Sequence, residues 1–157
     1  MNTTAPVVTL RFIPIPYEIA EDARRTMRDR FGHQLHVTTT QAPCRLCLRI
    51  SPNPEQLILL SYQPSRDSGP YAEIGPIFVH ARACERYDAS ETFPEDFRSR
   101  SLVVRAYNDA GEIADAVVAG PGEAEERARE FLQNPAIAEL HVRHVSYTCF
   151  DFKIIRG

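Results

Sequence analysis

The sequence predicts an α+β fold: a mainly antiparallel sheet of about six or seven strands with two main helices on one face, in a single domain over residues 1–157. Three observations predict it. Apolar and polar residues alternate with the period of half-buried strands, two segments carry apolar residues at helical spacing, and one pair of strands is separated by a hairpin-length turn.

From Val7 to Ile13, Val8, Leu10 and Phe12 alternate with Thr9 and Arg11, and Pro14 and Pro16 end the strand. Between Glu18 and Phe31 the apolar residues Ile19, Ala23, Met27 and Phe31 recur every four positions. Acids come early and arginines late, in keeping with a helix dipole, and Gly32 is the natural stop. The charges of this helix read as a solvated face. His33 to Thr40 reads as a second strand, and Pro43, Cys44 and Cys47 then gather in a turn or short knuckle. Leu57 to Tyr62 reads as a buried strand, and Ile74 to His80 as another whose Pro76 confines it to an edge or bulge. Residues 82–98, with Pro94 and many charges, form an irregular excursion. Ser101 to Tyr107 and Glu112 to Ala119 flank Asn108–Gly111 as a hairpin. Glu123 to Gln133 places Ala124, Ala128, Phe131 and Leu132 on one side of a second helix. Strands near 140–145 and 148–155 complete the pattern.

With 18 basic and 21 acidic residues and a net charge of -3, the chain has no global positive field to attract a phosphate backbone, which argues against nucleic acid as a partner. No stretch approaches the ~20 apolar residues that cross a bilayer, and the first residues lack the basic and apolar regions of a secretion signal. A cytoplasmic protein is the expectation. Of the 18 basic residues one, Lys153, is lysine; the arginines are scattered, as a lineage bias would scatter them.

Three groups of residues carry chemistry. Cys44-x-x-Cys47, followed by His80-x-x-x-Cys84, offers three thiolates and an imidazole, enough for a closed tetrahedral zinc site. The same residues also fit reduced packed cysteines or a redox pair. In the last two strands, burying Phe150 and Phe152 with Leu140 and Val142 pairs residue 140 with 152 and 142 with 150. That register sets Arg143 opposite Cys149 and His141 opposite Asp151, giving Cys149 as nucleophile, His141 as base and Asp151 as its orienting acid. The same residues also fit the polar outer face of an ordinary sheet. Third, Arg105-x-Tyr107 and Tyr71-x-Glu73 each place two polar side chains on one side of an extended segment. Converging with His141 and Arg143, they would form a polar pocket for a small anionic molecule, a carboxylate or a phosphate.

The blocks Pro43-Cys44-Arg-Leu-Cys47-Leu, Pro70-Tyr-Ala-Glu-Ile-Gly-Pro-Ile-Phe-Val-His80 with Cys84, and Val104-Arg-Ala-Tyr107 with His141-Val-Arg143 and Cys149-Phe resemble the bacterial domain-of-unknown-function family 1203. The resemblance runs from about Phe12 to Arg156 and implies a compact bacterial protein without an assigned activity, so it adds no role to any residue. Two classes of function follow from the residues themselves. One is a binding or enzymatic domain for an anionic metabolite; the other is a non-catalytic module, with zinc or packed Cys and His residues, that serves a protein partner.

Overall fold

The computed structural model describes residues 7–66, 68–88 and 90–157. The elements in chain order are β1 (Leu10–Ile13), α1 (Tyr17–Thr26), β2 (Val37–Thr40), β3 (Glu55–Tyr62), β4 (Gly75–His80), a 3-10 turn (Glu95–Phe97), β5 (Leu102–Asn108), β6 (Ile113–Ala119), α2 (Ala124–Leu132), β7 (Ile137–His144) and β8 (Phe150–Arg156). Among the described residues the fold is α+β, with two antiparallel sheets instead of the one expected. Five strands run in the order β1-β8-β7-β5-β6 and three in the order β2-β3-β4.

Each sheet has its own helix and its own core, so the two helices do not share one face. Beneath the large sheet, Ala124, Ala128 and Leu132 of α2 pack with Val104, Leu140, Val142 and Ile154. Phe93 and Phe97 close this core edge-on, with ring centroids 5.3 Å from Phe12 to Phe93 and 5.2 Å from Phe97 to Phe152. The excursion after β4 is thus a lid on the core, and its irregular backbone follows from Pro94 and its turns. The second core joins Ala20 and Ala23 of α1 to Ile58, Leu60, Ile77 and Val79 of the small sheet, with Cys44 and Leu46 of the knuckle.

Helix α1 ends five residues before Phe31. Met27 takes a left-handed backbone, φ 51°, and Asp29 then accepts N–H groups from Phe31, His33 and Ser61. These three donors give the turn a partner set that outweighs one more helical turn. Phe31, which helical spacing placed on the apolar side, is therefore 41% exposed.

The register of β7 and β8 also departs from expectation. Leu140 pairs with Ile154, His141 with Lys153 and Val142 with Phe152; the next pair is Arg143 with Phe150, leaving Asp151 as a bulge residue. The expected register put both phenylalanines on one face. The bulge instead divides them, Phe152 into the first core and Phe150 into the second. One extra residue lets a single strand serve two cores.

Candidate functional site

The knuckle starts from backbone. Leu48 donates its N–H to the Cys44 carbonyl at 2.8 Å and lies at φ 58°, a left-handed turn that folds Cys47 back toward Cys44. Arg45 donates its N–H to Phe78 of β4 at 3.0 Å, seating the knuckle against the small sheet. His80 ends β4, and Cys84 follows one turn later. As expected for a metal set, the ligand atoms of Cys44, Cys47, His80 and Cys84 all lie within 4.8 Å of one another.

The individual distances are informative. Cys44 Sγ is 3.8 Å from Cys84 Sγ, and Cys47 Sγ is 3.5 Å from His80 Nδ1. A tetrahedral zinc with the usual bond lengths has edges of about 3.8 Å between sulfurs and about 3.6 Å from sulfur to nitrogen. The donor set fits zinc in chemistry, and these two of its six edges match a tetrahedral site in length. Behind it, Glu55 Oε2 is 2.6 Å from His80 Nε2, the carboxylate partner that fixes a ligand imidazole with Nδ1 forward. Arg24 of α1 donates Nη2 to Cys84 Sγ at 3.2 Å and Nε to the His80 carbonyl at 3.0 Å. Three thiolates around a divalent cation leave one negative charge, and Arg24 is placed to balance it.

The electrostatics follow from crowding. Hydrogen bonds from Cys47 and Cys84 draw the Cys44 thiol far below its ordinary range, while the contact with Cys44 pushes Cys47 up. Hydrogen bonding to Cys44 and Cys84 raises His80 to about 10. Donor atoms confined this closely repel or share protons, and a cation is the simplest relief. Glu55 and Arg24 escaped the sequence reading. Arg24 stands among the charges that read as the solvated face of its helix, and nothing in the spacing of residues 24, 55 and 80 places them together.

The anion-binding set divides. Glu73 reaches across to both arginines: Arg105 Nη1 donates to Glu73 Oε1 at 2.8 Å, and Arg143 Nη1 lies 3.3 Å from Oε2. Burial works against the charge of Arg105, but hydrogen bonds to Tyr107 and Glu73 more than restore it. Tyr107 is buried against His141, with ring centroids 4.1 Å apart. Tyr71 is 43% exposed and its side chain makes no hydrogen bond to either arginine among the described residues.

The nucleophilic set does not assemble as its register required. His141 faces Glu139, Nε2 to Oε1 2.9 Å, and pairs across the strands with Lys153, not Asp151. Burial holds its pKa below the usual histidine value. Asp151 is fully buried and turns instead to His144, Oδ1 to Nδ1 2.7 Å, and to Arg45 Nη2 at 3.4 Å. His144 had no partner that the sequence could identify, because its partner is the bulge residue. Cys149 lies beside it at the turn, one residue before β8.

Residues 41–156 match the family model described as protein of unknown function (DUF1203). The chain belongs to this family. The matched span of DUF1203 takes in all four cluster residues, both arginines and the β7–β8 turn. No curated protein and no solved structure gives a significant match to this DUF1203 chain. None of its helices, among the described residues, is long and apolar enough to cross a membrane.

Proposed function

We propose that this protein is a zinc-stapled domain in which Cys44, Cys47, His80 and Cys84 hold one structural ion. The observation that carries the reading is the pair of tetrahedral edges, 3.8 Å and 3.5 Å, in a cluster whose histidine is already oriented by Glu55. Three sulfurs and one nitrogen complete a four-coordinate shell, leaving no position for water, so the ion's work is to tie chain segments together. It would join the knuckle, the end of β4 and the segment after it, which are otherwise tied by single backbone hydrogen bonds such as Arg45 N–H to the Phe78 carbonyl and Tyr87 N–H to that of Leu46.

The test is native mass spectrometry of protein purified under reducing conditions, before and after chelation. One zinc per chain, absent from Cys47→Ser, is the expected result. A chain that takes up no zinc, with its cluster thiols all alkylated at the rate of free cysteine, would overturn the reading.

A second reading, a site for a small anionic molecule, is favoured by one observation: Arg105 and Arg143 already grip a carboxylate, that of Glu73. Glu73 is 46% exposed as a side chain and comes from the loop between β3 and β4, so a ligand carboxylate could exchange with it. Thermal shift of Glu73→Ala with phosphate or malonate checks this. Stabilisation that grows with ligand concentration in the variant, and less in the parent, is expected; equal shifts or none would remove it.

A further inference from the structure

We propose that Cys149, His144 and Asp151 form a thiol acyl-transfer site, with His144 as the base. Three observations carry it, and none depends on the metal cluster. The first is the bulge. Asp151 faces no cross-strand residue, is fully buried, and has its Oδ1 2.7 Å from His144 Nδ1. That contact is off the line of a good hydrogen bond, and neither Asp151 oxygen has one among the described residues. Apart from the buried ion pair with Arg45 Nη2 at 3.4 Å the carboxylate has little direct satisfaction, and such costly groups persist where they serve a site.

The second is the hairpin closure. The His144 N–H donates to the Cys149 carbonyl at 3.1 Å, so the two residues stand opposite each other and their side chains leave the same face. With Nδ1 toward Asp151, the ring presents Nε2, which has no hydrogen-bond partner among the described residues. The Cys149 thiol donates to the Tyr147 carbonyl at 3.8 Å and makes no hydrogen bond to the His144 ring among the described residues, so the acyl-transfer contact forms by rotation of the thiol toward Nε2; such contacts often tighten only when substrate binds.

The third is the cavity. Cys149 and His144 both line a space of about 590 Å³ whose walls include Leu59, Phe78 and Tyr147, with Arg100 also on its wall. Arg45, on the same cavity, is committed elsewhere: Nε donates to the Phe150 carbonyl at 2.8 Å and Nη1 to that of Pro43 at 2.7 Å. Apolar walls with one uncommitted arginine suit an ester with an apolar acyl group and an anionic end.

The step balances without a further reactant. As Cys149 Sγ bonds to the acyl carbon, its proton passes to His144 Nε2 and the carbonyl electron pair moves to oxygen. The pair returns, the bond to the leaving oxygen breaks, and the alcohol departs with the proton from His144. Water, losing a proton to the same ring, then cleaves the acyl–sulfur bond and the thiol regains its proton. One ester and one water yield one acid and one alcohol.

The experiment uses the full chain, purified with its metal content measured, and p-nitrophenyl acetate as probe. Expected are release of p-nitrophenol and an acetyl group mapped to the Cys149 peptide, formed at least about 10²-fold faster than on free cysteine. His144→Ala should lose that acceleration while still melting in one cooperative transition, and added imidazole should restore part of it. In 15N-histidine-labelled protein the His144 ring should carry its proton on Nδ1, and Asp151→Asn should shift the tautomer, a signature that a purely structural carboxylate would not give. Acetylation of Cys149 at the rate of free cysteine, or one indifferent to His144→Ala, would overturn the proposal. Zinc stoichiometry is read separately, so failure here and failure of the metal centre are told apart.

Discussion

At Cys44, Cys47, His80 and Cys84, three sulfurs and a ring nitrogen face one another across less than 4.8 Å; at the β7–β8 turn, one sulfur and one ring face a cavity. Both centres have a histidine backed by a carboxylate, Glu55 in the first and Asp151 in the second. What differs is what lies in front of the ring. Where the front is filled by thiols, the donors are placed to saturate a cation, and the chemistry we propose is cohesion. An open front leaves the same dyad free to move a proton. Histidine and carboxylate alone therefore say little, and the third neighbour decides.

The largest effect that separates the two centres is loss of the ion. Binding energies of about 10–16 kcal/mol for structural zinc in small domains rival the whole stability of a protein this size. Chelation, or Cys47→Ser, is expected to abolish the cooperative melting transition or lower it by more than about 10 °C, followed by circular dichroism. His144→Ala should leave that transition in place, and equal losses in both would erase the distinction.

Arg45 sharpens the comparison because it belongs to both. It sits between Cys44 and Cys47, yet its guanidinium lies 3.4 Å from Asp151 and both groups are buried. Breaking such a pair from one side costs about 3–5 kcal/mol. Urea unfolding of Arg45→Met should show that loss with zinc stoichiometry retained.

Glu55→Gln is a smaller change. Losing the carboxylate behind a ligand histidine weakens metal binding roughly 10–100-fold, measurable by competition with a chromophoric chelator. Alkylation of Cys149 should not change. An effect at Cys149 would mean that the two centres are one.

The smallest effect lies at Asp29, apart from both. Burial alone would raise this carboxyl, but hydrogen bonds from Ser61, His33 and Phe31 hold it at about 2. Its folded value is depressed below the ordinary aspartate value near 3.9, so its contribution is fully present above about pH 4 and is lost as pH falls toward 2. Melting temperatures of Asp29→Asn should run below those of the parent at neutral pH and converge with them near pH 2.

Much of this was legible in the sequence, for local reasons. The hairpin of β5 and β6, expected at 101–107 and 112–119, lies at Leu102–Asn108 and Ile113–Ala119, because Asn108 caps its own turn by accepting N–H groups from Ala110 and Glu112. Helix α2 follows its alanines and leucine within a residue at each end. The four cluster residues were legible because a CxxC turn and a strand-end histidine are local signals of ligand geometry. The division into two sheets was not, since strand alternation looks the same whichever sheet a strand joins. Nor was His144, because a bulge leaves no mark in the alternation and the parity rule paired Asp151 with His141. Glu55 and Arg24 come from distant elements that only packing brings to the cluster.

Arg45 has a mechanical consequence. Its side chain runs from a knuckle packed on the small sheet to the carbonyl of Phe150 and the carboxylate of Asp151 in the large one. If the knuckle opens, Asp151 loses its positive neighbour inside the protein and water must enter beside it. That loosens β8, which lies between β1 and β7. Fraying that would otherwise stay at one edge is thereby transmitted across the fold, and the amides of the knuckle and of β8 should exchange with deuterium as one cooperative unit.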